Sequence, residues 1–270
     1  MASDKSRRNR IGVLGAGVMG EAIIGGLIKS GFCPASDVSV SDALEPRVEH
    51  MRSKYGVKAF KDNIKVVGAA DVLVVAVKPD VLPDLLQEIG PHLGENVILV
   101  SIAAGVKLSN IAWWAKGKVV RAMPNICAQA GEGMTALAHT SNLTHEDMEL
   151  VHKLFESVGK AIWVDETKMD AVTAISGSGP AYIYLVMEAM TQGGVECGLS
   201  LAQSRELVKQ TVKGAVALLE NGGTPAEWRE KIMSPNGTTA AALHKLESRG
   251  VRGAFLDAVL AAAQRSKELG

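Results

Sequence analysis

The sequence predicts a two-part chain: an α/β unit with a doubly wound parallel sheet, followed by an all-α unit. Three observations carry this. Runs of β-branched and aliphatic residues, such as residues 72–77 (VLVVAV), mark strands buried on both faces, as parallel sheets require. These runs alternate with stretches of helical spacing, the sign of crossover connections and of helices on both faces of a sheet. After about residue 165 strand runs stop, and helical stretches follow one another with glycines between them. The boundary is therefore set at 165/166, with residues 1–9 (MASDKSRRN) read as a polar tail.

Taken in order, residues 10–14 (RIGVL) form a short strand that meets Gly15 at once. Met19, Ala22, Ile23, Gly26 and Leu27 recur at helical spacing behind it. Residues 38–41 form a second strand, and residues 45–54 a helix that stops near Gly56. Strand 72–77 is followed by a helix over 81–88, strand 97–102 by a loop, and a further strand begins at Val119. Helices are predicted over 180–197, 201–220, 225–232, 239–248 and 252–269. Gly198, Gly222, Gly223 and Gly250 act as their stop signals.

Composition excludes several functions. The 270 residues carry 29 basic and 29 acidic side chains, so there is no basic excess for nucleic acid. Aromatics make up 4 %, too few for base-stacking platforms. No run of about 18 apolar residues predicts a membrane span, and no apolar segment follows the polar start as a secretory signal would. Cys33, Cys127 and Cys197 are scattered and odd in number, without metal-ligand spacing. No metal is expected, and reduced thiols point to the cytoplasm.

Gly15-Ala16-Gly17-Val18-Met19-Gly20 matches G-x-G-x-x-G between a strand and a helix, the context that makes the pattern specific. Gly15 permits the tight turn, Gly17 admits a pyrophosphate to the backbone, and Gly20 lets helix and strand pack closely. The helix N-terminus offers N–H groups to the phosphates. This is the Rossmann-type dinucleotide fingerprint. At the end of the second strand the signals conflict. Asp42, 22 residues after Gly20, suits a ribose diol, whereas Ser41 and Arg47 suit a 2′-phosphate. A turn or helix-cap role for Asp42 stands beside both. Two further turns, Ala76-Val77-Lys78-Pro79 and Ser101-Ile102-Ala103-Ala104-Gly105, close buried strands at their carboxyl ends, where open α/β sheets bind ligands.

In the helical part, Ser178 or Gly179 is placed to cap a helix that has Pro180 in its first turn. Ser234-Pro235-Asn236-Gly237-Thr238-Thr239 precedes another helix and supplies hydroxyls and free N–H groups for a small anion such as a carboxylate.

Together GAGVMGEAI, AVKP, SIAAGV, RAMPN, SGSGPAY and SPNGTT give the chain, from Ile11 to Leu269, a resemblance to the pyrroline-5-carboxylate reductases. The resemblance implies a Rossmann domain followed by a helical dimerisation domain, and reduction of Δ1-pyrroline-5-carboxylate to L-proline by NADPH or NADH. It favours NADPH, and Asp42 leaves this open. It implies that Gly15, Ala16, Gly17, Val18, Met19 and Gly20 hold the pyrophosphate, and Ser41 and Asn63 the adenosine end. Ala76, Lys78, Pro79, Ala103, Ala104, Gly105, Pro124 and Asn125 would line the nicotinamide side. Ser178, Ser234, Gly237, Thr238 and Thr239 would hold the substrate, with Thr239 nearest the ring nitrogen and counted as catalytic. The family pattern SPGGTT has a glycine where this chain has Asn236, which tolerates left-handed backbone better than most residues. Homodimers that assemble into a larger ring, such as a decamer, are implied as well. A β-hydroxyacid dehydrogenase fits less well. The lysine and asparagine that class spaces three apart occur here as Lys107 and Asn110, inside the first domain. A nucleotide sensor without turnover is the reading from a different class.

Overall fold

The computed structural model describes residues 10–115 and 117–269; the tail reading for residues 1–9 lies outside them. The chain groups into two compact units, Met1–Ser178 with Ala262–Gly270, and Gly179–Ala261.

The first unit is an eight-stranded sheet: β1 (Ile11–Leu14), β2 (Val38–Ser41), β3 (Lys58–Phe60), β4 (Val72–Val75), β5 (Ile98–Ser101), β6 (Lys118–Met123), β7 (Gly133–His139) and β8 (Gly159–Trp163). Their order is β3-β2-β1-β4-β5-β6-β7-β8. Connections run outward in both directions from β1 and β4, which makes the sheet doubly wound. Between the strands run α1 (Val18–Lys29), α2 (Glu45–Tyr55), α3 (Asn63–Val67), α4 (Leu82–Ile89), α5 (Leu108–Trp114) and α6 (His145–Glu156).

Side chains alternate across the strands and fill two cores. Ile11 and Val13 pack with Ile23, Ile24, Leu27 and Phe155 on one face. Leu14, Leu73 and Val75 pack with Leu82, Leu86 and Ile89 on the other. At Gly12 of β1 that second face comes too close for a side chain. A Cβ there would lie 2.9 Å from Ala70, Leu73 and Val66.

Three expectations are corrected. The sheet is not wholly parallel, because β7 pairs antiparallel with β6. The link between them, residues 124–132, is too short for a helical crossover, so the chain must turn back. Strand 72–77 ends at Val75: the Ala76 N–H donates to Leu14 at 2.7 Å, after which the chain turns into the loop. Strand 97–102 likewise covers Ile98–Ser101.

Nor is Ser178 a helix cap. α7 (Met169–Val172) runs into a π turn (Thr173–Gly177), and the Ser178 N–H donates to Thr173 at 2.9 Å with helical backbone. Pro180 explains the wider turn, since it offers no N–H to the Ser176 carbonyl four residues back. Asn125 donates to that carbonyl instead, at 3.2 Å.

The second unit contains α8 (Gly179–Glu196), α9 (Leu201–Glu220), α10 (Pro225–Ile232), α11 (Thr238–Ser248) and the first part of α12 (Val251–Leu269). Capping boxes start α9 (Ser200 with Gln203) and α10 (Thr224 with Glu227), each satisfying N–H groups that a bare helix end would leave open. α8 and α9 meet where Ser204 donates to Thr191 at 2.7 Å, beside Gly194.

Candidate active site

The glycine loop follows β1, the strand from which the sheet winds both ways, so it stands at the topological switch point. Each glycine has a distinct steric reason. Gly15 has φ +99°, and a Cβ there would lie 2.6 Å from the Ala76 carbonyl oxygen. At Gly20 a Cβ would lie 2.0 Å from the Gly15 carbonyl oxygen. Around Gly17 a Cβ would meet nothing within 4 Å, so the space a phosphate needs is open. The first helical bond of α1 is Glu21 N–H to Gly17, which leaves the N–H groups of Gly17, Val18, Met19 and Gly20 without helical acceptors. These features fit a dinucleotide pyrophosphate.

Ala16 has a different part. Its N–H donates to Asp42 at 2.8 Å, and its carbonyl accepts from Arg47 Nε at 2.7 Å. The residue fixes the loop between two charged side chains rather than presenting its own N–H to a phosphate. Behind it, Glu21 accepts from Arg47 (2.5 Å), Lys54 (2.9 Å) and Tyr55 (3.2 Å) and pairs with His50 (2.8 Å). Burial alone would raise the Glu21 carboxyl, but the bonds from His50, Arg47 and Lys54 prevail and hold it far below the usual carboxylate range.

Ser41 and Asn63 are brought together as the resemblance implies. The buried Ser41 hydroxyl donates to Asn63 Oδ1 at 2.7 Å, and Asn63 Nδ2 donates to Glu88 at 3.0 and 3.2 Å.

The turns after β4 and β5 lie side by side because those strands pair. A cavity of about 370 Å³ is lined by Pro79, Ala104, Gly105 and Ser178, four of the residues singled out from the sequence. Thr173, Ala262, Arg265, Ser266 and Leu269 complete it. Neighbouring Lys78 is exposed and Ala103 is buried. Arg265 was missed by sequence reading: no local motif marks a C-terminal residue that reaches a turn some 160 positions earlier. Asn125 is committed elsewhere. Its carboxamide donates to Ser176 and accepts from Met134 N–H at 3.2 Å, which fixes the turn after β6, including Pro124, to the π turn and β7.

The Ser234–Thr239 segment belongs to the helical unit. Asn236 is the one non-glycine with positive φ among the described residues, at +56°. The Gly237 N–H closes the turn onto the Ser234 carbonyl at 3.0 Å, and a Cβ on Gly237 would come within 2.3 Å of Ser234 Oγ. α11 starts at Thr238 with no side-chain cap, and its first bond is Ala241 N–H to Gly237. The N–H groups of Thr238, Thr239 and Ala240 thus remain without helical acceptors.

Comparison with known proteins decides the family. Residues 166–269 match the pyrroline-5-carboxylate reductase dimerisation model, and residues 10–105 match the model described as NADP oxidoreductase coenzyme F420-dependent. The chain is 41 % identical over 264 residues to a pyrroline-5-carboxylate reductase of Methanosarcina acetivorans, covering 97 % of this chain and 98 % of the relative. It belongs to the pyrroline-5-carboxylate reductase family. A relative of the same name from Glycine max is 38 % identical, covering 96 % and 95 %. The solved pyrroline-5-carboxylate reductase of Coxiella burnetii superposes with TM-score 0.93 at 33 % identity, covering 98 % and 99 %. A Plasmodium falciparum pyrroline carboxylate reductase, solved with NADP bound, gives 0.87 at 31 % identity, covering 97 % and 98 %. As a pyrroline-5-carboxylate reductase family member the chain is an NAD(P)H-dependent oxidoreductase of proline biosynthesis, and residues 166–269 make it a homo-oligomer. Among the described residues no helix is long and apolar enough to cross a membrane.

Proposed function

We propose that the chain reduces Δ1-pyrroline-5-carboxylate to L-proline with residues 1–165 as the dinucleotide domain and residues 166–270 as the substrate and dimerisation domain. The Ser234–Thr239 turn carries the substrate assignment. Asn236 takes the left-handed backbone that the family's glycine would supply, so the turn forms and three N–H groups remain for a carboxylate. Ser234, Gly237, Thr238 and Thr239 hold the substrate, and Ser178 lines the neighbourhood of the turns after β4 and β5.

NAD(P)H supplies the hydride. The chain's own work is binding and orientation. The loop Gly15–Gly20 holds the phosphates; Ala76, Lys78, Pro79, Ala103, Ala104 and Gly105 shape the nicotinamide wall, which Pro124 and Asn125 support. Thr239 orients the imine through its hydroxyl. A threonine is far too weak an acid to match general acid catalysis near neutral pH, so the ring nitrogen is protonated from water or before binding. Rate enhancement then comes mainly from holding the reacting carbons about 3–3.5 Å apart. The protein acts in the cytoplasm as a homodimer that assembles into a ring such as a decamer.

Mixing the purified protein with Δ1-pyrroline-5-carboxylate and NADPH or NADH tests the reaction through the absorbance of the reduced nicotinamide. Steady oxidation dependent on the imine is expected; none with either nucleotide rejects the activity. Thr239→Val lowers kcat/KM by about tenfold or more, the loss of one oriented hydrogen bond. Unchanged kinetics would remove Thr239 from the site.

A further inference from the structure

We infer that Asp42 makes this chain prefer NADH over NADPH, by taking the two ribose hydroxyls and repelling a 2′-phosphate. The inference rests on the dinucleotide reading of the Gly15–Gly20 loop and adds the choice of nucleotide.

The groups that the sequence offers to a 2′-phosphate are committed elsewhere. The Ser41 hydroxyl is buried and donates to Asn63, whose Nδ2 in turn donates to Glu88. The Arg47 guanidinium is turned away onto the Ala16 carbonyl and Glu21. Other cations nearby also have partners. Arg52 donates to Glu49 and to the Ala59 carbonyl, and Lys61 faces Glu45 at 3.8 Å. Lys65 lies over the Phe60 ring, 5.8 Å from its centroid. The cations around the end of β2 are thus already engaged within the chain, and the carboxylate of Asp42 stands beside the phosphate loop.

Asp42 is held for the opposite task. One oxygen accepts from Ala16 N–H at 2.8 Å and the other from Leu44 N–H at 2.9 Å. Each bond uses one lone pair and leaves a second on the same oxygen. Asp42 is half-buried and bonded to the phosphate loop through Ala16, so these lone pairs are the ones a ribose bound beside that loop would meet. A ribose diol brings two O–H donors to them. A 2′-phosphate brings only acceptors and a charge of about −1.5 to −2. Swinging Asp42 aside to admit it would strip the acceptors from the Ala16 and Leu44 N–H groups, and with Ala16 the anchor of the loop itself.

Calorimetric titration of the full chain with NAD⁺ and with NADP⁺, without substrate, tests this independently of turnover. NAD⁺ is expected to bind at least about tenfold more tightly, the effect of one like-charge contact at partly screened range. Asp42→Ser and Asp42→Asn should each shrink that ratio several-fold, through weaker NAD⁺ and stronger NADP⁺ binding. Equal affinities, or tighter NADP⁺, on the unmodified chain overturn the inference. A ratio unchanged in both variants overturns the role of Asp42. Binding of neither nucleotide would reject the loop reading itself, and is distinguishable from both.

Discussion

The α/β unit and the helical unit treat their apolar residues in opposite ways. In the first, strand and helix side chains such as Ile11, Leu14, Ile23, Leu73 and Phe155 are fully buried. In the second, only Ser204 and Val208 are buried between Gly179 and Ala261, while Ile183, Tyr184, Leu185, Leu207, Val216, Leu256 and Leu260 stand exposed. A sheet covered on both faces closes its own core. A set of helices with apolar residues on outward faces does not, and an exposed surface of this kind belongs to association. The contrast teaches that one unit buries its apolar residues within itself, whereas the other leaves them facing outward, in keeping with its match to a dimerisation family.

Four changes probe that contrast, starting with the largest effect. Gly20→Ala attacks the closed unit at its tightest point. The new Cβ would lie 2.0 Å from the Gly15 carbonyl, a backbone atom that cannot yield cheaply. A loss of about 3 kcal/mol or more of stability is expected, with nucleotide binding lost; thermal melting and calorimetry check it. Leu185→Glu attacks the open unit. Leu185 is 64 % exposed in the single chain. Its substitution should weaken self-association by about 2 kcal/mol or more while nucleotide affinity stays within about twofold. Light scattering that shows an unchanged assembly would mean Leu185 lies off the contact face.

Gly194→Ala tests whether the helical unit has any tight internal packing. A Cβ there would come within 2.2 Å of Ser204 Oγ, a small side chain that can rotate only by giving up its bond to the Thr191 carbonyl. A cost of about 1–2 kcal/mol is expected, smaller than at Gly20 because a side chain yields where backbone does not. Denaturant titration measures it.

Glu21→Gln is the mildest. It loosens the charge cluster that links α1 and α2, at a cost of about 1 kcal/mol for a partly exposed group. The sign with pH follows from the depressed carboxyl of Glu21. Its stabilisation is fully present above the unfolded value of 4.5 and fades as pH falls below it. The stability gap between the two proteins should therefore be constant near neutrality and narrow below about pH 4.5. A gap that widens on acidification would refute the assignment.

Much of the fold was legible in local pattern. The β-branched runs of β1, β4 and β5 and the helical spacing of α1 appear in the sequence because each strand is buried on both faces and each helix on one. β7 and β8 were not legible. Their sequences, GMTALAH and GKAIW, begin on glycine and contain no run of β-branched residues. They are strands because β6 offers a free edge. α3 and α5 have five and seven residues, too short to show a helical period. The candidate site divides in the same way. Gly15, Gly17 and Gly20 were readable because each position excludes or needs a side chain for a reason that travels with the motif.

What the sequence alone determined is the order of elements, the phosphate loop and the helix-start turn that contains Asn236, since each depends on residues close together in the chain. Only the tertiary structure decided where the long-range polar groups point. Asp42 reads from the sequence as ribose ligand, turn or cap; the fold adds the turn bond from Leu44 N–H and a bond from Ala16 N–H, 26 residues away, that no local pattern shows. Arg47 reads from the sequence as a phosphate ligand, and only the fold shows its bonds to Glu21 and the Ala16 carbonyl. Asn125 meets Ser176 across 51 residues, and Arg265 reaches its cavity only once the C-terminal residues group with the α/β unit. Periodicity encodes which face is buried. A hydrogen bond depends on partners whose proximity exists only after the chain has closed on itself.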